Sequence, residues 1–144
     1  MAEYETDAGQ ASPFKVLVAD DHPVNREFVR RILEPLGASV TEAVDGREAV
    51  DSAATVAFDL ILLDLKMPGM DGDEAVRIIR SSDGPNRNAP ILAFSAGQEA
   101  FDELLLPDEF DGALAKPISP DTLIEAFATY CGQDVGAERQ RRFG

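Results

Sequence analysis

A chain of 144 residues with 44% hydrophobic content has room for one compact core and little more. Its net charge of −14 excludes the basic face that nucleic acid requires and the polybasic patch that an anionic membrane attracts. The single cysteine, Cys131, excludes an internal disulfide, no apolar run reaches membrane-spanning length, and the N-terminus has no signal-peptide core. A soluble, cytoplasmic protein is expected.

Residues 1–13 are polar, acidic and aperiodic and read as a loose tail. Lys15 to Ala19 is a short apolar run that ends on Asp20-Asp21. Pro23 is well placed to open a helix. Val24, Phe28, Ile32 and Leu36 recur every four residues, a core stripe that leaves Asn25, Arg26 and Arg30 facing out. Pro35 and Gly37 close the helix. Ser39 to Ala43 reads as a second strand. Asp45 then caps a helix, with Glu48 as its capping-box partner, that buries Ala49, Val50, Ala53 and Ala54.

The third run, Leu60 to Leu63, is unbroken, as in a strand covered on both faces. It ends on Asp64, and Pro68, Gly69 and Gly72 turn the chain within eight residues. Asp71 and Glu74 repeat the capping pattern, and Ala75, Val76 and Ile79 face the core. Residues 81–90 form a loop. Ile91 to Phe94 is a fourth strand ending at Ser95. Gly97 to Leu105 is a weak helix, cut off by Pro107. Ala113 to Ala115 is a short fifth strand ending at Lys116-Pro117. Ser119 caps the last helix, Pro120 opens it, and Leu123, Ile124 and Phe127 pack inward, with Cys131 half-buried near its end. Residues 132–144 read as a second polar tail.

Five strands alternating with five helices imply a three-layer α/β/α sandwich around a parallel sheet. One domain over residues 14–131 is expected. Ligands of such sheets bind outside the carboxyl ends of the strands. That edge collects Asp20, Asp21, Asp64, Ser95 and Lys116. Two carboxylates about 4 Å apart repel by about 4 kcal/mol at an effective dielectric of roughly 20. Three of them call for protons or a cation. Oxygen ligands without a His or Cys cluster suit Mg²⁺. The one histidine, His22, reads as a loop or helix-start residue, because a hard-oxygen site has no need of it. An aspartate can take a phosphoryl group as an acyl phosphate. An ammonium such as Lys116 and a hydroxyl such as Ser95 can hold the phosphoryl oxygens.

Asp20-Asp21, the stretch D-L-K-M-P-G-M-D-G from Asp64, Ser95-Ala96 and Lys116-Pro117 follow one another in the order found in receiver domains of response regulators. The chain resembles that two-component signalling family over about Lys15 to Cys131. The resemblance implies the flavodoxin-like, doubly wound strand order 2-1-3-4-5. It implies that Asp64 accepts phosphate from a phosphohistidine of a histidine kinase or histidine phosphotransferase. Asp20, Asp21, Asp64 and the backbone carbonyl of Lys66 would hold Mg²⁺. Ser95 and Lys116 would sense the phosphoryl group, and Lys116-Pro117 would be cis. The outward side of Pro23 to Arg31, with Ile118, would receive the phosphodonor. D-D-H-P-V-N-R looks like receivers of hybrid kinases and phosphorelays.

Two departures stand out. Ala113 occupies a position where the family often has Tyr or Phe. The segment from Ser95 to Lys116 is slightly short, so output is expected to depend on ordering of residues 97–111. Nothing after Cys131 reads as an output module. The chain is expected to signal by binding a downstream protein, as a stand-alone regulator, a phosphate shuttle or a piece of a hybrid protein. It would not be an enzyme beyond catalysing its own phosphorylation and dephosphorylation. The rival readings are a degenerate receiver that binds partners without phosphate, an aspartate-nucleophile phosphatase, and a flavin or nucleotide binder. Lys66 stands where such a phosphatase has its second aspartate, and D-D-H-P would repel a bare phosphate.

Overall fold

Each apolar run of the sequence becomes a strand, and the polar residue that ends it becomes part of one edge. A computed structural model describes residues 14–95 and 107–131. In chain order these form β1 (Phe14–Ala19), α1 (Pro23–Leu33), β2 (Ala38–Ala43), α2 (Gly46–Thr55) and β3 (Leu60–Asp64). Then follow α3 (Gly72–Ser81), β4 (Ile91–Ser95), β5 (Gly112–Ala115) and α4 (Pro120–Cys131). The weak helix expected over 97–105 lies outside the described residues.

The strands pair in parallel in the order β2-β1-β3-β4-β5. Successive side chains of a strand point to opposite faces, so each strand feeds two cores. Leu17, Ile61, Leu63 and Ala93 pack with Ala49 and Ala53 of α2 and Val76 and Ile79 of α3. Val16, Val18, Leu62 and Phe94 pack with Val29 and Leu33 of α1 and Leu123 and Phe127 of α4. This is the three-layer sandwich, with β3 at its centre. All five residues of β3 are buried, which explains its unbroken apolar run.

The helix caps read from the sequence are present. Asp45 accepts from the Glu48 amide at 2.9 Å, and Asp71 from the Glu74 amide at 3.3 Å. The Glu48 side chain reaches back to the amide of Val44, one residue before the cap. Ser119 Oγ accepts from the Thr122 amide at 3.1 Å.

Several buried faces differ from the sequence reading. The α1 stripe is wrong at both ends: Val24 is 75% exposed and Leu36 44% exposed. The residues that α1 buries fully are Val29 and Leu33, with Phe28 and Ile32 beside them. A helix turns once per 3.6 residues, so the four-residue spacing carries Val24 off the buried face, whereas the α-helix ends at Leu33 and Leu36 falls in the tighter 3-10 turn Glu34–Leu36 that follows it. Ala54 is exposed, and Ile124 is 39% exposed because Ala126 takes the inward place in α4. Cys131 is buried rather than half-buried. Arg26 does not face out: its side chain is 13% exposed.

Candidate functional site

The site is built by carrying strand geometry past the strand ends. Asp20 N–H donates to the Ala43 carbonyl at 3.1 Å, Leu65 N–H to Phe94 at 3.1 Å, and Lys116 N–H to Ser95 at 2.9 Å. Residues just beyond β1, β3 and β5 therefore stay in register and project from one edge. β1 and β3 are neighbours although α1, β2 and α2 separate them in sequence, which makes this the switch point of the sheet.

At that point Asp20 and Asp64 share Lys116. Its Nζ lies 3.1 Å from Asp20 Oδ2 and 3.1 Å from Asp64 Oδ2. The Asp20 side chain is 0% exposed and that of Asp64 is 6% exposed. Asp20 Oδ1 accepts from the His22 amide at 2.9 Å, and Oδ2 from Asn25 Nδ2 at 3.1 Å. Asp64 Oδ1 accepts from the Lys66 amide at 3.2 Å, so the chain after β3 folds back beside the carboxylate. The Lys116–Pro117 peptide is cis, as the resemblance implied. Ser95 is buried at the end of β4, and its main chain pairs with Lys116.

Two neighbours of the acids escaped the sequence reading. Asn25 holds Asp20 as described. Arg26 Nη1 donates to the Asp20 carbonyl at 2.7 Å, and its Nε to Glu42 at 2.8 Å. The only sequence signal for either is their place in the first turn of a helix that begins two residues after Asp21.

The electrostatics are unbalanced. Burial pushes the Asp64 carboxyl above its usual range; the hydrogen bond from Lys116 opposes this, and the charge of Asp20 adds to it. Burial alone would lower Lys116. The hydrogen bond to Asp64 and the charges of Asp20 and Asp64 outweigh it and hold the ammonium above its usual range. Lys116 is thus well paired while Asp64 is not, because Asp64 is desolvated and shares its one ammonium with Asp20.

Asp21 adds a third. Its Oδ1 is shut off from solvent and, among the described residues, has no hydrogen-bond partner. Oxygens of Asp20, Asp21 and Asp64 and a ring nitrogen of His22 lie within 4.8 Å of one another. Three carboxylates against one ammonium leave two negative charges. A buried carboxylate oxygen without a donor, in a group carrying that excess, fits a divalent cation.

The chain from residue 16 to residue 128 matches the model of the family described as the response regulator receiver domain. The chain belongs to this family. The receiver is 39% identical to the nitrate/nitrite response regulator protein NarP of Escherichia coli, over 93% of this chain and 63% of that protein. It is 37% identical to the sensor protein GacS of Pseudomonas syringae, over 88% of this chain and 15% of that protein. The chain therefore spans less than two thirds of the length of either relative.

Among solved structures, it is similar to the receiver domain of a Pseudomonas aeruginosa sensor histidine kinase with a magnesium ion coordinated in the active-site cleft. The TM-score is 0.73 at 32% identity, covering 83% of this chain and 98% of that one. It is also similar to the response regulator protein TrrA of Thermotoga maritima in complex with Mg²⁺-BeF, with a TM-score of 0.72 at 28% identity, covering 81% of this chain and 98% of that one. The receiver is thus a module of two-component phosphorelays with an acidic pocket suited to a divalent metal. No helix of its described residues is long and apolar enough to cross a membrane.

Proposed function

We propose that residues 14–131 form a phosphoacceptor unit between flanking segments 1–13 and 132–144. Asp64 takes a phosphoryl group from a phosphohistidine on a histidine kinase or histidine phosphotransferase. The observation that carries this reading is Lys116 stretched between two buried carboxylates, with Asp64 left short of positive charge. Such an aspartate is held ready for charge that arrives with a metal and a phosphoryl group.

Asp20, Asp21, Asp64 and the Lys66 carbonyl would hold Mg²⁺, which when bound neutralises the charge developing on the phosphoryl oxygens. An Asp64 oxygen attacks phosphorus. The P–O bond forms as the P–N bond to the donor imidazole breaks, and the bonding pair stays on that nitrogen. Lys116 follows the new negative charge, and the Ser95 hydroxyl donates to a phosphoryl oxygen. The resulting acyl phosphate is the signal. The chain catalyses only its own phosphorylation and dephosphorylation.

The donor docks over the start of α1, where exposed Val24 offers an apolar contact next to the acids. Output passes to a downstream protein by surface contact. The setting is cytoplasmic, where kinases hold their phosphohistidines.

Phosphotransfer from a ³²P-labelled kinase or phosphotransferase in Mg²⁺ tests the assignment. Wild type is expected to label, Asp64→Asn to give no label, and Lys116→Ala to label partly while losing its partner response. Equal labelling of Asp64→Asn and wild type would show that another residue is the acceptor.

A further inference from the structure

The sequence gives His22 no part in the site, yet the fold places its ring among the acids. His22 Nδ1 lies 3.2 Å from Asp21 Oδ1 and 3.5 Å from Asp20 Oδ1. We propose that His22 is a further ligand of the cation site, and that it shifts the preference of that site from Mg²⁺ toward divalent first-row transition ions. The inference rests on the acid site proposed above.

The spacing is that of ligands around one ion. Neighbouring ligands on an octahedral ion with bonds of about 2.1 Å lie roughly 3.0 Å apart, and opposite ones roughly 4.2 Å. Nδ1 meets two carboxylate oxygens at separations near the first value, and the whole set stays within 4.8 Å.

The ring is not there as a hydrogen-bond partner of Asp21. Among the described residues Asp21 Oδ1 has none, although Nδ1 is close enough to be one. At that distance the ring nitrogen and the two carboxylate oxygens can share one ion between them.

The backbone holds this arrangement. The His22 amide donates to Asp20 Oδ1 at 2.9 Å, so the residue that would add nitrogen is tied to a carboxylate of the same site. Pro23 follows at once and restricts the chain at the start of α1. The His22 side chain is 70% exposed, so it can approach the ion from the solvent side.

Chemistry then sets the preference. Imidazole nitrogen adds little for Mg²⁺, which favours oxygen and keeps its waters, but suits Co²⁺, Ni²⁺ and Zn²⁺. A neutral ring leaves the balance between two excess negative charges and a divalent ion unchanged.

The test uses the untagged full chain, with Mg²⁺ and Co²⁺ as separate probes. His22 is the one histidine of the chain, so any imidazole signal is its own. Titration calorimetry of His22→Ala is expected to show Co²⁺ affinity lowered by about tenfold or more, with Mg²⁺ affinity unchanged within about twofold. Proton NMR of the wild type with Co²⁺ is expected to show a hyperfine-shifted imidazole resonance. Equal affinity changes for the two ions, or an imidazole resonance left in its diamagnetic place, overturns the inference. Asp21→Ala separates the two levels. If it weakens both ions while His22→Ala spares Co²⁺, only the role of His22 fails. If Asp21→Ala weakens neither, the acid site fails and His22 with it. The exposed ring bears no core packing, so thermal melting of His22→Ala should match wild type and confirm that the variant is folded.

Discussion

Lys116 touches two carboxylates and can neutralise only one charge. Burial is the main cause that raises the Asp64 pKa, the charge of Asp20 adds to it, and the shared ammonium offsets it only in part. The fold therefore favours the protonated carboxyl. The stability this gives is complete below the unfolded value, near 3.8, and is lost as pH rises through the folded value. At neutral pH, without divalent cations, ionised Asp64 is therefore a cost. Asp64→Asn is expected to melt above wild type at pH 7, and the gap should close as pH falls toward 3.8. A lower melting temperature for the Asn variant at pH 7 would mean that the Lys116 pairing outweighs desolvation.

Asn25 and Arg26 show where residue types alone mislead. Both are polar and sit early in a surface helix, which reads as a solvated face. The fold turns them to Asp20 instead, one to its side chain and one to its carbonyl.

At the scale of elements, polar side chains tie helices to strands that sequence separates. Arg26 and Arg30 of α1 both bind Glu42 of β2, at 2.8 and 3.0 Å. The Arg26 hydrogen bond is the main cause that holds the Glu42 carboxyl below its usual range; Arg30 adds to it, and desolvation opposes. A depressed acid contributes stability above its unfolded value, and that stability is lost as pH falls through the folded one. Glu42→Gln is expected to lower the melting temperature slightly at neutral pH and to converge with wild type below the ordinary value of 4.5. A constant difference across that range would exclude the ion pair as its source.

Asn86 is a second tie, only 1% exposed. It accepts from the Phe58 amide at 2.8 Å and donates to the carbonyls of Ala53 and Val56 at 2.7 and 2.6 Å. It therefore anchors the end of α2 and the approach to β3 against the loop after α3. Asn86→Ala strands these groups and is expected to cost about 2–4 kcal/mol in urea unfolding. A loss below about 1 kcal/mol would show that water replaces the amide.

Gly72 acts at the front of α3. A Cβ there would run into the Asp64 carbonyl oxygen, so only glycine lets the helix start so close behind Asp64. Residues 107–111 are also pinned. Arg80 donates to the Glu109 carbonyl and to Asp111, and Phe110 is buried. The rest of the segment expected to order, residues 97–106, lies outside the described residues.

For the molecule as a whole, the sheet gathers like charges at one edge and the two cores hold them there. A divalent cation should then stabilise the entire fold. At ten times its dissociation constant, Mg²⁺ is expected to contribute about 1.4 kcal/mol, a melting shift on the order of 5 °C. Asp21→Ala should lose most of that shift, and sodium chloride of equal ionic strength should not reproduce it. Equal shifts with both salts would point to general screening.

Strand runs, helix caps and the polar residues that end each strand were legible from Lys15 to Cys131, because each depends on a few neighbouring residues. The acids after β1 and β3, Ser95 and Lys116 could be named for the same reason. The strand order came only through resemblance to a family. Which side of α1 is buried, and whether Ala54 and Ile124 meet the core, depended on the angle at which each helix lies on the sheet. The partners of Asn25, Arg26, Asn86 and His22 depended on where folding brought other chain segments. Periodicity is a short-range property and survives in one dimension. The partner of a polar side chain is a matter of distance in three, and here those distances leave one ammonium between two buried carboxylates.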